Sequence, residues 1–315
     1  MLDPNQAAEV AGRFALGDHA VLRGPVAAGR LGDVWRLSTD RGDFAVKDAR
    51  FPVDPVEVAA DAAYQDRVRS HGVPMPAVQR TPEGEALVQL GSGPVRVYSW
   101  VDVLPPQRGI DPVEVGALVA AIHRVHVVAR TTVDPWYVAP IGDPVWRELT
   151  TRLRAAGAPF ADQLEGLLPD VLAAEALLVE TDAVQICHRD LWADNVRMTP
   201  SGRLCVFDWD NCGSADVNHE LAMVVWEFGL DNAGRIGALL DAYAEAGGPG
   251  RVTAPGDFTM VIAQFGHFYE MAAAPFLDLT DTDADRAHGV ERFEEFDSRP
   301  LTMDAIGQII AVGAR

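Results

Sequence analysis

His188-Arg189-Asp190-Leu191, followed by Asn195 four residues on and Asp208 thirteen beyond that, combine types and spacing that could do chemistry. That chemistry is phosphoryl transfer: an aspartate to receive a hydroxyl proton, then an asparagine and a second aspartate as oxygen ligands for Mg2+. The spacing predicts how they meet. A strand ends near Cys187, and a loop presents Asp190 and Asn195. A hairpin turning at Pro200-Ser201-Gly202 then returns along Leu204-Cys205-Val206-Phe207 to deliver Asp208. Three oxygen-bearing side chains would converge on one edge, as a hard cation requires. Asp190 is the candidate catalytic base, and Asn195 and Asp208 are the candidate metal ligands.

Lys47 is the only lysine among 26 basic residues; the other 25 are arginines. It ends the strand-like run Asp43-Phe44-Ala45-Val46-Lys47. A lysine on such a strand serves the phosphates of ATP as a compact point charge, a role that a planar guanidinium fills poorly. Ala27-Ala28-Gly29-Arg30-Leu31-Gly32 lies between the first two strands, in the register where backbone amides would cover those phosphates. The acid that would orient Lys47 stays open between Glu57 and Asp61, one helical turn apart. Glu57 also sits three residues past Asp54, where a capping box accounts for it. Tyr98-Ser99-Trp100-Val101 is the connector whose backbone, Val101 included, would hydrogen-bond adenine.

The elements that must hold these residues fall into two groups. First come a short helix over Pro4–Leu16 and strands at His19–Gly24, Val34–Ser38 and Phe44–Val46. A helix capped by Asp54 with Pro55 in its first turn then runs to about His71. A hairpin of Leu87–Leu90 and Val95–Val101 turns around Gly91-Ser92-Gly93-Pro94. Beyond Pro105-Pro106 helical spacing dominates: Val113–Val128, Val145–Ala156, Ala161–Glu180, Asn218–Phe228, Ala233–Ala246, Gly256–Ala273, Arg286–Phe296 and Asp304–Val312. The expectation is an α+β, bilobal, protein-kinase-like plan: a small β-rich N-lobe over residues 1–101 and a large α-helical C-lobe over 102–315.

Composition narrows the function. With 48% hydrophobic and 23% charged residues the chain is of ordinary globular type. No run approaches the roughly 18 apolar residues that would span a bilayer. Met1-Leu2-Asp3-Pro4-Asn5 has neither the basic nor the apolar region of a secretory signal, so a cytoplasmic protein is expected. Cys187, Cys205 and Cys212 form no CxxC pair and read as small thiols, not a disulfide. A net charge of −20 disfavours nucleic acid, which needs basic surface, and suits a cationic second substrate.

The runs Cys187-His188-Arg189-Asp190-Leu191-Trp192-Ala193-Asp194-Asn195, Val206-Phe207-Asp208-Trp209-Asp210 and Asp216 through Glu220-Leu221-Ala222 resemble the aminoglycoside phosphotransferase-like family of small-molecule kinases. The resemblance covers essentially the whole chain. It implies the kinase fold, ATP with Mg2+ as cofactors, and transfer of phosphate to a hydroxyl of a small molecule by a monomer or homodimer. By position, Asp190 matches the family's base, Asn195 and Asp208 its metal ligands, and Lys47 its phosphate-binding lysine. Three residues depart from the family's habit. Arg189 stands where a glycine is common, Trp192 where a smaller or imidazole side chain is, and Glu220 where the helix that braces the catalytic loop usually carries an aspartate.

Only Trp209 to Ala215 separate Asp208 from the next helix, which leaves no room for a protein kinase's peptide-binding segment. The acceptor is therefore expected to be a small molecule, an antibiotic or a metabolite such as a sugar, amino alcohol or nucleoside. A pseudokinase regulator would lack a catalytic residue, and none is missing. His123 and His126 read as ordinary helix residues, and Trp226, Phe265, Phe268 and Tyr269 as core. Asp281, Asp283 and Asp285 read as a loop capping a helix. Glu227, Asp231, Glu270 and Asp278 are candidates to meet a cationic acceptor.

Overall fold

The computed structural model describes residues 2–28, 32–182, 184–278 and 280–315. The chain divides into two compact units. Residues 1–107 and 192–212 make the first, and residues 108–191 and 213–315 make the second.

In the first unit a short 3-10 turn, Pro4–Gln6, leads into α1 (Ala7–Arg13). Strands β1 (Val21–Ala28), β2 (Gly32–Thr39) and β3 (Gly42–Ala49) follow, then α2 (Pro55–Ser70), β4 (Val88–Leu90) and β5 (Gly93–Ser99). The strands form one antiparallel sheet in the order β1-β2-β3-β5-β4. Alternation along a strand separates its two faces. Val46 is fully buried, in one core with Leu37, Val88, Val95, Val97, Trp35, Val10 of α1 and Phe14 at its C-terminal cap, while its neighbour Lys47 points to the other face. The start of α2 is as its sequence dictates, with the Asp54 carboxylate accepting from the Val56 amide and Pro55 in the first turn.

The second unit contributes α3 (Pro112–His123), α4 (Asp143–Ala156), α5 (Ala161–Glu175) and β6 (Val184–Cys187). The chain then passes through the first unit as β7 (Val196–Met198) and β8 (Leu204–Val206). It returns to the second as β9 (Gly213–Asp216), α6 (Val217–Gly229), α7 (Ala233–Glu245), α8 (Thr259–Leu277), α9 (Asp283–Asp297) and α10 (Met303–Gly313). Thr282 and Asp285 close a capping box at the start of α9. Of the four aromatics expected in the core, Trp226, Phe265 and Tyr269 are buried, with Phe265 edge-on to Trp226, and Phe268 is half-buried.

Two helices of the second unit are shorter than their apolar patterns predict. The helix expected to reach Val128 stops at His123, because Val125 to Val128 leave it to meet β6. The Val127 carbonyl accepts from the Ile186 amide at 2.8 Å, and Val128 bridges to Gln185. A β-branched run serves a strand as well as a helix, and the sheet wins here. The helix expected to reach Glu180 ends at Glu175. The short segment between Asp208 and the next helix contains a strand: β9 pairs antiparallel with β6 from Val184↔Asp216 to Cys187↔Gly213. Among the described residues no helix is long and apolar enough to cross a membrane. All three cysteines are free, and burial pushes the Cys205 thiol up to about 12.

Candidate active site

The first unit gathers Lys47, Asn195 and Asp208. Hairpin β7–β8 pairs Val196 with Val206. One step further out, the Asn195 carbonyl accepts from the Phe207 amide at 2.9 Å, so Asn195 and Asp208 end up at the same end of the hairpin. The Val206 amide donates to the Pro74 carbonyl, and the Leu104 amide to the Met198 carbonyl, tying the hairpin into its unit. Asp208 has a left-handed backbone, φ +54°, and begins a 3-10 turn over Trp209–Asn211. The buried Trp209 lies edge-on to Tyr64 of α2 and donates its Nε1–H to the Val206 carbonyl.

Lys47 Nζ meets both acids that flank Trp209, Asp208 Oδ1 at 2.7 Å and Asp210 Oδ2 at 2.6 Å. Arg96 stands directly opposite Lys47 in the β3–β5 register. Its guanidinium reaches Asp210 Oδ1 at 2.8 Å and lies 4.0 Å from Asp61. Two facing cations repel, and Asp210 bridges them. Burial alone would lower the Lys47 ammonium; the Asp210 and Asp208 carboxylates override it and hold the group above its ordinary value. For Asp210, burial opposes ionisation, and the charges of Lys47 and Arg96 outweigh it, keeping the carboxyl below the usual range. Of the two acids weighed for Lys47 in the sequence, Asp61 sits beside Arg96 and Glu57 is exposed in the first turn of α2.

Asp210 and Arg96 carry much of this arrangement, and neither had a role in the sequence reading. The available signals were the acid–Trp–acid alternation at Asp208-Trp209-Asp210 and one arginine set in the apolar run Val95-Arg96-Val97. Val101 lies in the connector after β5, which is anchored by the Trp100 amide on the Asp43 carbonyl at 3.1 Å. The glycine-containing loop expected over residues 27–32 falls partly on residues 29–31, outside the described residues.

The second unit holds Asp190 in the loop after β6. The residue before it is pinned at both backbone groups. The Arg189 amide donates to Glu220 of α6, and its carbonyl accepts from Gln264 Nε2 of α8 at 3.0 Å. Glu220 thus binds the loop backbone despite being longer than the aspartate that the resemblance led us to expect there. Its other oxygen is 2.8 Å from His123 Nε2, while His123 Nδ1 is 2.8 Å from the Tyr243 hydroxyl. Tyr243 accepts from the Gly250 amide at 2.9 Å, so its own proton points at Nδ1 and the His123 proton sits on Nε2, toward the carboxylate. Burial of Glu220 is complete and raises its pKa; the hydrogen bonds of His123 and the Arg189 amide reverse that and keep it low. Close approach of α3 to α7 makes this chain possible: a Cβ on Gly116 would come within 2.2 Å of the Leu239 carbonyl.

His123, Glu220 and Cys187 form a buried cluster of metal-ligating types, but both His123 nitrogens are already engaged by Glu220 and Tyr243. Of the acids considered for a cationic acceptor, Glu227 is 1% exposed and neutralised by Arg108 at 3.0 Å and Arg299 at 3.6 Å. Asp231 lies 3.7 Å from Arg299. Glu270 and Asp278 instead line an open groove of about 770 Å3 between α4 and α8, with Trp136, Glu148, Arg152 and His267.

A five-stranded antiparallel sheet with one long helix and a helical second unit give the fold of kinase-like phosphotransferases that act on small molecules. The chain belongs to the phosphotransferase enzyme family, whose sequence model matches residues 24–255. No curated protein sequence matches it. Solved structures share its fold at low identity. A spectinomycin phosphotransferase with ADP and spectinomycin is 13% identical, covering 99% of this chain and 98% of its own, with a TM-score of 0.67. An amicoumacin kinase in complex with AMP-PNP, Ca2+ and Ami is 14% identical over 98% and 97%, at 0.57. A choline/ethanolamine kinase family protein from Mesorhizobium loti is 18% identical over 99% of each chain, also at 0.57.

Proposed function

We propose that the protein is an ATP-dependent O-phosphotransferase acting on a hydroxyl of a small, polar, cationic molecule, an aminoglycoside or another antibiotic. The observation that carries the nucleotide half is the placement of Asp208 on Lys47 with Asn195 at the same hairpin end. These groups fit a divalent cation and a polyphosphate. The donors are hard oxygens, and Asp208 is 39% exposed where Asp210 is 12%. Asn195 and Asp208 would hold Mg2+, which neutralises phosphate charge when bound. Asp208 would then release Lys47 to the phosphates, while Asp210, held by Arg96, keeps the ammonium aimed. The connector backbone at Val101 would receive adenine.

Asp190 is the base. As the acceptor oxygen bonds to the γ-phosphorus, the bond from that phosphorus to the ADP oxygen breaks and the hydroxyl proton passes to the Asp190 carboxylate. Support for a cationic acceptor comes from the net charge of −20 and the Glu148, Glu270 and Asp278 side of the groove. The same balance disfavours nucleic acid as a partner, and free thiols together with ATP use support a cytoplasmic location. Likeness to a choline/ethanolamine kinase family protein favours a second reading, a metabolic kinase of an amino alcohol. ATP consumption against aminoglycosides, peptide antibiotics, amino alcohols, sugars and nucleosides decides between them. Turnover on a cationic antibiotic supports the first, turnover on an amino alcohol the second, and no turnover on any acceptor counts against both.

A further inference from the structure

Arg189 precedes Asp190 with a left-handed backbone, φ +65°, a conformation that penalises any residue with a Cβ and that glycine adopts freely. Something must favour arginine there. Its guanidinium carbon lies 4.2 Å from the centroid of the Tyr137 ring. Gly213 also lies against it: a Cβ there would fall 2.4 Å from Nη2 and 2.5 Å from Cζ. The β6–β9 register, Cys187 opposite Gly213, sets that glycine beside the loop. The backbone of Gly213 is not left-handed, so what a side chain there would have to displace is the guanidinium itself. Arg189 thus touches both an aromatic face and a bare Cα.

The two backbone bonds of Arg189, to Glu220 and from Gln264, hold the loop from α6 and α8. The packed guanidinium adds a contact away from that backbone. We propose that Arg189 is a positioning residue: its guanidinium, held against Tyr137 and Gly213, helps fix the peptide presenting Asp190. The proposal rests on Asp190 being the base. It explains why this chain keeps arginine in a conformation suited to glycine, and why Gly213 carries no side chain. A displacement of about 1 Å in a reacting group costs up to roughly a hundredfold in rate, which sets the scale of the effect.

The test uses the full chain, with Mg·ATP hydrolysis read with water as acceptor and amide exchange of the 188–191 segment read by mass spectrometry. Arg189→Gly, Gly213→Ala and Tyr137→Leu should each lower turnover about ten- to a hundredfold, with the KM for Mg·ATP within about twofold. Gly213→Ala and Tyr137→Leu should also speed exchange in the loop, whose own sequence they leave intact. Arg189→Gly should hold or raise Tm, because glycine suits the backbone. Adding Gly213→Ala to Arg189→Gly should cost nothing further, since no guanidinium remains to be displaced. Full turnover and unchanged exchange in Gly213→Ala, or an equal loss from it in the Arg189→Gly background, overturns the proposal. An Asp190→Asn enzyme that still turns over normally overturns the reading beneath it instead.

Discussion

The two units hold their key residues by opposite means. In the first, Lys47, Arg96, Asp208 and Asp210 are bound by charge, and one of the four, Asp208, is well exposed. Such a set can exchange partners when a polyanion arrives, because each ion pair lost is replaced by another. In the second, Tyr243, His123, Glu220 and the Arg189 amide form a chain of hydrogen bonds with one assigned tautomer and no exposed member of the pair His123–Glu220. Nothing in it can turn to a ligand. A redistributable set suits binding, whereas a locked chain suits holding one reacting group in place.

That contrast predicts separable failures. The largest should come from Asp190→Asn, which keeps shape but removes the proton acceptor. Turnover should fall by about two to four decades while Mg·ATP affinity by calorimetry stays within error. A matching loss of affinity would mean that the two units are not dividing the work as described.

Glu220→Gln should come next. It puts an amide donor against either His123 Nε2–H or the Arg189 amide and removes a buried charge from its partners. Stability should drop by about 1–3 kcal/mol, the cost of leaving a buried donor unsatisfied, readable by denaturant unfolding. Turnover should fall with it, and nucleotide affinity should not. Stability within about 0.5 kcal/mol of wild type would show that Glu220 is not bearing the loop.

The smallest effect is on acid stability. Asp210 has its folded pKa held below the ordinary value of about 4, so the stability it contributes is present above that pH and is lost as pH falls below it. Glu220 acts in the same direction. Asp210→Asn should therefore show a lower Tm at neutral pH but a shallower decline below about pH 4. An unchanged slope would place the acid sensitivity elsewhere.

The pairing of Asn195 with Asp208 was legible because it is local: both lie at one end of one hairpin. The Asp54-Pro55 start of α2 is local chemistry as well. What escaped depends on partners distant along the chain. Arg96 faces Lys47 only through the β3–β5 register, and His123 meets Glu220 and Tyr243, 97 and 120 residues away, only once α3, α6 and α7 have packed. The early end of α3 has the same origin, since Val125–Val128 is drawn to a strand that the local pattern does not contain. Glu220 and Gln264, which bond the left-handed backbone of Arg189, likewise lie outside the loop.

The most direct test of the central claim is calorimetric titration of ATP into Asp208→Ala, with and without Mg2+. Freed of one carboxylate, Lys47 keeps Asp210 and stays available to phosphate. The account predicts that the Mg2+-dependent gain in ATP affinity disappears, while metal-free ATP binds at least as well as to the unaltered protein. An Asp208→Ala protein that still binds Mg·ATP more tightly than ATP alone, by the wild-type margin, would contradict the assignment of the first unit as the nucleotide and metal site.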